Sequence, residues 1–414
     1  MLISFQTFGC KLNFSETATI SQQLQDIGFS IVDSYREADV HVIHSCTVTE
    51  HAEKKCRQAI RHIVKENPNV KIVVMGCYSQ LRPSELQDLP NVVFVCGNET
   101  KFKLPEILKD IVAVEDKKED NKLETNDFIY HSAVSQESRT RAFMKIQDGC
   151  DYFCTYCAIP YARGRSRSDS VKNVVDIARK TVEGGKKEIV LSGVNLGDFG
   201  RKNSESFYAL LVELINIDKL ERLRISSIEP NLLESRILDL CTQTNKIMPH
   251  FHIPLQSGSD KILKLMRRKY DTGFFRDKVA AIKEIMPLSC IAIDLITGFP
   301  GETTQDFDDT IKFLDSTGVS YLHIFSYSDR PEAASSKYQG KVSNEEISRR
   351  SKVLHKFSED KWNDFLSLNK GTTHKVLFET LNDVGEWTGW TDNYIEVNRK
   401  SDENLYNMIV DVVI

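Results

Sequence analysis

Several features that define whole classes of protein are scarce or absent in this sequence. No apolar run approaches 18 residues, so we expect no membrane span. The amino terminus lacks the basic and apolar stretches of a secretory signal, and the 10 cysteines do not resemble a disulfide framework. We therefore expect a cytoplasmic protein in a reducing compartment. The net charge of −5 creates no global field for nucleic acid, so any RNA contact must use local basic patches.

The 414 residues are enough for two or three domains. Short apolar runs alternate with helical periodicity over residues 1–114, which predicts an amino-terminal parallel α/β domain. A charged and polar stretch at 115–140 predicts a linker. Strand and helix patterns then alternate about six times over residues 141–328, and a predicted loop and long helix complete a central domain at 141–370. The alternating patterns favour a central partial (β/α)6 barrel of the TIM type, although an open sheet has the same pattern.

Three cysteines lie close together on one predicted loop, with the spacing C-x3-C-x2-C. They are Cys150, Cys154 and Cys157, and an apolar run that predicts a strand precedes them. A [4Fe–4S] cluster normally takes four thiolates, so three would leave one iron open to a small ligand. A zinc knuckle is the alternative. Zinc sites of this kind pair C-x2-C with a second such pair or with two histidines, and the next cysteine is Cys241.

This loop resembles that of the radical S-adenosylmethionine (SAM) superfamily. The resemblance implies that the open iron binds SAM, and that one electron from the cluster cleaves SAM to give a 5′-deoxyadenosyl radical. It also implies that Tyr156 occupies the aromatic position near the adenine. The cofactor would perform the difficult step, and the protein would position and shield it.

A second group of cysteines is dispersed along the amino-terminal domain. Cys10, Cys46 and Cys77 each follow a predicted strand, and a glycine or serine precedes each of them. The carboxyl ends of adjacent parallel strands meet at one edge of a sheet, so the fold would gather these three thiols. Buried core cysteines are the alternative. The remaining cysteines, namely Cys56, Cys96, Cys241 and Cys290, are interpreted as core residues.

The segments around these three cysteines resemble the amino-terminal domain of the methylthiotransferases. The matching segments are Thr7-Phe-Gly-Cys-Lys-Leu-Asn13, His44-Ser-Cys-Thr-Val-Thr49 and Met75-Gly-Cys-Tyr78. The resemblance implies an auxiliary [4Fe–4S] cluster on Cys10, Cys46 and Cys77, whose open iron carries the sulfur to be inserted. All six cysteines would then be both metal ligands and catalytic residues.

Small and polar residues follow the predicted strands of the central domain. Ordinary turns would explain any one of them, but several on one face suggest a binding site. By the same resemblance they are SAM-binding strand ends, with Gly298 leaving room for the adenine. Arg268 could bind the SAM carboxylate or a phosphate, or could complement the end of a helix. The candidates are Gly193, Asn195, Glu229, Gln256, Arg268 and Gly298.

Two basic stretches are candidates for phosphate contacts. Arg163, Arg165 and Arg167 follow the cysteine loop, and the predicted helix that contains Lys54 and Arg61 could add to the same patch. A solvated surface is the alternative in both cases.

The last segment, 371–414, contains short strands around turns and predicts a small β-barrel of the oligonucleotide-binding kind. It resembles the TRAM domain of tRNA-modifying enzymes, although its own charge is acidic.

Within the family, the segments around Cys10, Cys46 and Cys150 are most similar to enzymes that act on N6-threonylcarbamoyladenosine (t6A) at position 37 of tRNA. The implied reaction replaces the C2 hydrogen by a methylthio group, with SAM as methyl donor and radical source. The implied partners are the anticodon stem-loop of tRNA, an electron donor such as flavodoxin or ferredoxin, and a sulfur source. The alternatives are isopentenyl-adenosine, an aspartate of a ribosomal protein, or a non-catalytic RNA-binding protein stabilised by metal.

Overall fold

The computed structural model describes residues 1–113, 129–135 and 140–414. Most of the predicted linker therefore lies outside the described residues. The chain divides into two compact units. The first comprises the described residues up to 135 together with Phe143–Asp169 and Ser328–Ser336. The second comprises residues 140–142, Ser170–Tyr327 and Lys337–Ile414. Among the described residues, no helix has the length and apolar character that a bilayer span requires.

A five-stranded parallel sheet organises the first unit, with the order β2-β1-β3-β4-β5. The predicted strands that precede Cys10, Cys46 and Cys77 are present as β1, β3 and β4, and β5 and the two-residue β2 complete the sheet. Their bounds are β1 Leu2–Thr7, β2 Ser30–Ile31, β3 Val40–Ser45, β4 Lys71–Gly76 and β5 Val92–Cys96.

Helices cover both faces of this sheet, which explains why its strands are apolar throughout. Val42 and Met75 belong to one buried cluster, whereas Ile43 and Val74 belong to another, because neighbouring side chains point to opposite faces. The helices are α1 Lys11–Asp26, α2 Glu50–Glu66, α3 Cys77–Leu81, α4 Pro83–Gln87 and α5 Leu104–Ala113. The unit also contains β6 Ala133–Val134, the last residues of β7 Arg141–Lys145, β8 Gln147–Asp148, α6 Ile159–Arg163 and β9 Arg167–Ser168.

The second unit alternates parallel strands with helices. The strand β10 (Glu188–Ser192) pairs with β11 (Arg222–Ile225), and the three-stranded order β12-β13-β14 follows. The later strands are β12 His250–His252, β13 Cys290–Thr297 and β14 Tyr321–Ser326, and a parallel bridge from Ser227 to His252 links them to β11. The helices are α7 Val171–Glu183, α8 Phe207–Ile215, α9 Ser235–Gln243, α10 Asp260–Leu265, α11 Thr272–Ile285, α12 Thr304–Asp315 and α13 Asn344–Asn369. These α/β repeats confirm the predicted fold class.

An antiparallel sheet of four strands ends the chain, in the order β17-β16-β15-β18. Its strands are β15 Thr373–Leu381, β16 Trp387–Thr391, β17 Glu396–Arg399 and β18 Ile409–Val413. Val376, Phe378 and Leu405 form its buried core. The β-rich carboxyl terminus was expected from the sequence, and its assignment as a TRAM domain stays a prediction.

Candidate active site

The first unit brings Cys10, Cys46 and Cys77 to one edge of its sheet. Cys10 is the residue before α1, Cys46 directly follows β3, and Cys77 directly follows β4. A Cβ atom added to Gly9 would lie 2.8 Å from Cβ and 2.9 Å from Sγ of Cys46. The segments that carry these two cysteines are therefore in contact, although they are far apart in sequence.

The glycines beside these cysteines have a different role from the one the sequence suggests. A small residue before a cysteine can leave room for a bulky group to approach the backbone. Gly9 and Gly76 have φ values of +103° and +108°, and a Cβ on Gly76 would lie 2.6 Å from the carbonyl oxygen of Ser45. The space beside each glycine is thus taken by the neighbouring strand end, so the glycines allow the strand ends to approach each other.

Burial keeps these thiols in the neutral, protonated form in the metal-free protein. Burial raises the pKa of the Cys46 thiol to about 12, and the nearby Cys77 and Cys10 sulfurs add to the increase. Burial also raises the pKa of the Cys10 thiol. Thiols of this kind become ligands only when a metal displaces their protons.

Cysteine thiolates can bind one metal ion together or the separate irons of a cluster. Among the residues that the structure describes, no three His, Cys, Asp or Glu side chains converge on a point that one metal ion could occupy. A cube makes a different demand, because each thiolate binds a different iron.

The second cysteine group lies on the loop between β8 and α6, also in the first unit. Cys154 is buried, whereas Cys150, Cys157 and Tyr156 are half-buried. The Cys150 amide donates to the Gly164 carbonyl (3.1 Å), and the Cys157 amide donates to the Cys154 carbonyl (3.0 Å). These two bonds fix the backbone of the loop at Cys150 and between Cys154 and Cys157.

A buried ionic network connects the two cysteine groups. Arg163, at the end of α6, donates to Oδ1 of Asn13 (2.6 Å), to both carboxylate oxygens of Glu16 (3.2 and 3.1 Å), and to Oδ1 of Asp148 (3.0 Å). Its side chain is only 1% exposed. Asn13 in turn donates to the carbonyl oxygens of Phe8 (2.7 Å) and Ser45 (3.2 Å). The Arg163 guanidinium therefore bonds to Asn13, which holds the Cys10 and Cys46 segments together. It also bonds to Asp148, which lies on the strand that precedes Cys150.

The same network extends to Cys77. Asn98 donates to Sγ of Cys77 (3.5 Å) and to the Ala162 carbonyl (2.8 Å), and it accepts a bond from Lys101 (2.8 Å). Burial alone would lower the pKa of the Arg163 guanidinium, but Cys77 and Glu16 hold it well above its usual value. The cation thus lies where it can balance the charge of cysteine thiolates.

These contacts correct one interpretation of the sequence. Arg163 is not a phosphate contact, because its nitrogens are buried on protein acceptors. Arg167 is also largely committed, to Asp148 (3.1 Å) and to the Arg163 carbonyl (2.6 Å). Arg165 remains 70% exposed. Apart from a glutamate at a core-facing position of α1, nothing in the sequence indicated this network.

The six strand-end candidates lie in the second unit. Asn195 is buried and donates to Asp198 (3.0 Å), and Gly193 immediately follows β10. Glu229 forms an ion pair with Arg268. Burial raises the pKa of the Glu229 carboxyl despite this partner.

Gly298 has a role that differs from the expected one. Its φ is +83°, and an added Cβ would lie 2.3 Å from Cγ1 of Ile347. The room beside Gly298 is therefore filled by α13 rather than left for an adenine.

Three buried polar atoms at the strand ends lack a hydrogen-bond partner within the described structure. They are Oγ of Ser226, Oε1 of Gln256 and Oγ1 of Thr297. Buried polar groups are normally paired, so an orphaned set suggests a missing polar ligand. Gln256 also has a φ of +71°, which is unusual for a residue other than glycine. Ser226 and Thr297 were not selected from the sequence, where the only sign was that each ends a strand.

A histidine beside these strand ends was also missed. Nδ1 of His252 lies 2.7 Å from Oγ of Ser227, and its Nε2 lies 2.8 Å from Oδ1 of Asp294. Both ring nitrogens are thereby fixed, which orients the imidazole.

Comparisons with known proteins agree with this geometry. Residues 2–97 match the uncharacterized protein family UPF0004, and residues 144–314 match the radical SAM superfamily. The two matches contain the first and the second cysteine group, respectively.

Curated relatives extend over nearly the whole chain. The threonylcarbamoyladenosine tRNA methylthiotransferase MtaB of Aquifex aeolicus is 35% identical over 99% of this chain and 99% of its own length. The protein of the same name from Bacillus subtilis is 35% identical over 100% of this chain and 93% of its own. The tRNA-2-methylthio-N(6)-dimethylallyladenosine synthase of Lawsonia intracellularis is 32% identical, with coverages of 98% and 94%.

Solved structures share the fold at low identity. The radical S-adenosylmethionine methyltransferase TsrM of Kitasatospora setae superposes with a TM-score of 0.58 at 14% identity, over 81% of this chain and 76% of that one. The cobalamin-dependent S-adenosylmethionine radical enzyme OxsB gives a TM-score of 0.51 at 12% identity, over 86% and 56%.

Proposed function

Because this chain belongs to the radical SAM tRNA methylthiotransferases, we propose that it converts t6A at position 37 of tRNA into its 2-methylthio derivative. The observation that carries the proposal is the presence of two three-cysteine groups in one compact unit, joined through Arg163. The choice of t6A is supported by the two 35% identical relatives that are named for it.

We propose that Cys150, Cys154 and Cys157 hold the cluster that binds SAM, and that Cys10, Cys46 and Cys77 hold a second [4Fe–4S] cluster. When bound, these groups supply the radical, the sulfur and the methyl group that the reaction requires. A radical is needed because C2 of adenine is not activated for polar acid–base chemistry.

The residues of this chain would bind the clusters and SAM and hold them in a fixed orientation. Three thiolates at each site leave one iron open. Ser226, Gln256 and Thr297 would hydrogen-bond to SAM and so acquire the partners they lack, together with Gly193, Asn195, Glu229, Arg268 and the Gly298 backbone. Tyr156 would pack near the adenine. Arg163 and Asn13 would hold the cysteine segments in fixed positions, which preserves the geometry of the site.

Further parts of the proposal concern partners and organisation. We propose cytoplasmic action on the anticodon stem-loop, reduction by a flavodoxin or ferredoxin, and an external sulfur source. Residues 1–114, 141–370 and 371–414 would be the methylthiotransferase, radical SAM and TRAM-like domains, with a linker at 115–140. The target base must be displaced from its stack to reach the site.

The main alternative is isopentenyl-adenosine 37, which the Lawsonia relative's name supports. Mass spectrometry of digested tRNA from cells with and without the gene separates the two. Our proposal predicts loss of methylthiolated t6A, accumulation of t6A, and recovery when the gene is returned. Loss of the methylthiolated isopentenyl nucleoside instead would establish the alternative. If neither nucleoside changed, a protein substrate would become the better hypothesis.

A further inference from the structure

Helix α2 presents a row of cations to solvent. Lys54, Arg61 and Lys65 are exposed, lie on one side of the helix, and are joined by the adjacent exposed Lys55. We call these four residues the α2 basic face. At 1.5 Å per residue, the row from position 54 to position 65 is about 16 Å long, which is several nucleotides of a backbone strand.

The opposite side of α2 anchors the helix. Cys56, Ile60 and Ile63 are buried in the core beside the sheet. Glu53 is also buried and forms ion pairs with Arg82 (2.6 Å) and with Arg330. The basic face is therefore held on a rigid element.

Within the described structure, the acidic residues of α2 form no ion pair with this face. Glu66 is paired with Arg36 (3.1 Å), and Glu53 is committed to the interior. Across the described residues, none of the four cations forms an ion pair. Lys54 does not pair even with Glu50, which precedes it by one helical turn. Arg61 and Lys65 are also four residues apart, a spacing at which like charges weaken a helix. A polyanion bound along the helix would remove this repulsion.

Another helix shows the more usual arrangement. In α7, Lys172 and Arg179 both pair with Asp176, at 2.6 and 3.4 Å. Two of the three basic residues of α7 are thus paired on their own helix, whereas none of the four cations of the α2 basic face is.

The charge of the rest of the chain makes the α2 basic face distinctive. The net charge is −5, and residues 371–414 contain eight Asp and Glu residues against three Lys and Arg. The carboxyl-terminal sheet is therefore poorly suited to attract phosphates by charge alone. Helix α2 is also close in sequence to a proposed cluster ligand, because it begins at Glu50, four residues after Cys46.

We propose that the α2 basic face binds the phosphate backbone of the substrate RNA. This inference rests on the proposed function for the identity of the RNA. A straight row of unpaired cations suits the regularly repeated single charges of a nucleic-acid backbone, and such contacts orient the substrate without reading its sequence.

The test compares two triple variants of the full-length, cluster-loaded protein. One carries Lys54→Gln, Arg61→Gln and Lys65→Gln. The matched control carries Lys172→Gln, Arg179→Gln and Lys180→Gln in α7, which removes three exposed charges of the same kinds. The probe is a fluorescent tRNA anticodon stem-loop, with Kd measured by anisotropy over a range of KCl concentrations. Iron content and SAM cleavage without RNA serve as checks on integrity.

The α2 variant is expected to bind at least about tenfold more weakly at low salt, and its slope of log K against log salt should fall by about two. The control should stay within about twofold of the wild type, with iron and SAM cleavage unchanged in both. Equal Kd and equal slope in the α2 variant would overturn the inference, and so would a wild type that binds no RNA.

The outcomes separate this inference from the proposed function. If the wild type methylthiolates t6A and the α2 variant binds RNA normally, the function stands and the inference fails. If the wild type leaves t6A unchanged but binds RNA through α2, the inference stands alone. If only reduction by an acidic electron-transfer protein is impaired, the face serves that protein and the RNA inference is overturned.

Discussion

The guanidinium of Arg163 donates a 2.6 Å hydrogen bond to Oδ1 of Asn13, a residue 150 positions earlier in the chain. Asn13 lies three residues after Cys10, and Arg163 lies six residues after Cys157. The bond therefore connects the segments that carry the two cysteine groups, and it lies in the interior where charges must be paired.

Removing the Arg163 charge should destabilise the first unit strongly. Arg163→Met would leave Glu16 and Asp148 buried with one cation fewer, and breaking a buried ion pair from one side costs about 3–5 kcal/mol. The measurement is the free energy of unfolding in urea. Arg165→Met is the matched control, because Arg165 is 70% exposed, and it should cost under about 1 kcal/mol. Equal effects of the two substitutions would contradict the role given to Arg163.

Substitution of Gly9 should lower the iron content, in addition to the backbone strain that a side chain causes at its φ of +103°. Gly9→Ala adds a Cβ 2.8 Å from Cys46, so it should displace a cysteine segment and lower the iron content. Gly28→Ala is the control, since Gly28 has a φ of +95° and nothing within 4 Å of the added atom. It should cost about 1–3 kcal/mol of stability through backbone strain and keep its iron. Full iron in the Gly9 variant would show that the approach of Gly9 to Cys46 is dispensable.

Loss of an orphaned hydroxyl should weaken SAM binding without destabilising the SAM-free protein. Thr297 is 1% exposed, and its Oγ1 has no partner among the described residues. Thr297→Val should leave the unfolding free energy unchanged or higher, and should weaken SAM binding by about 2–10-fold, the value of one hydrogen bond.

Thr310→Val is the contrasting variant for that measurement. The Thr310 hydroxyl accepts from the Gly258 amide (3.2 Å) and donates to the Asp306 carbonyl (2.9 Å). Its loss should cost about 1–3 kcal/mol of stability with less effect on SAM. Calorimetric SAM titrations of iron-loaded protein give the affinities. Unchanged affinity in the Thr297 variant would remove that residue from the site.

The second unit should owe part of its acid stability to Glu188. Burial by itself would raise the pKa of this carboxyl, but Arg224, Arg222 and Arg141 hold it at about 2. A carboxyl with a lowered pKa contributes its full stability above the unfolded pKa of about 4.5, and loses it as the pH falls toward 2.

The difference in unfolding free energy between wild type and Glu188→Gln isolates this contribution from those of other carboxyls. It should be constant above pH 5 and should shrink by about 3 kcal/mol as the pH approaches 2. Urea unfolding of metal-free protein across this range is the measurement. A difference that does not change down to pH 3 would contradict the assignment.

The sequence was informative where a local pattern determines the structure. The apolar runs located β1, β3, β4 and β5, and parallel strands explain why Cys10, Cys46 and Cys77 share an edge. The Thr303–Asp306 capping box at the start of α12 is another local pattern, because its two residues are neighbours on one turn.

Long-range packing could not be predicted in this way. The burial of Arg163 depends on Glu16, which is 147 residues away, so the arginine looked like one of three basic loop residues. Gly298 looked like space for a ligand because the sequence does not show that Ile347 fills it. Likewise, the contrast between α2 and α7 depends on which acidic residues are buried, which only the fold determines.

The most direct test of the account is the iron content of anaerobically reconstituted protein. The wild type should hold about eight irons per chain, four in each cube. A Cys10→Ala, Cys46→Ala, Cys77→Ala variant should hold about four and still cleave SAM, while a Cys56→Ala, Cys96→Ala control should keep about eight. If the triple variant kept all of the wild-type iron, the second cluster, and with it the source of the inserted sulfur, would not exist at these residues.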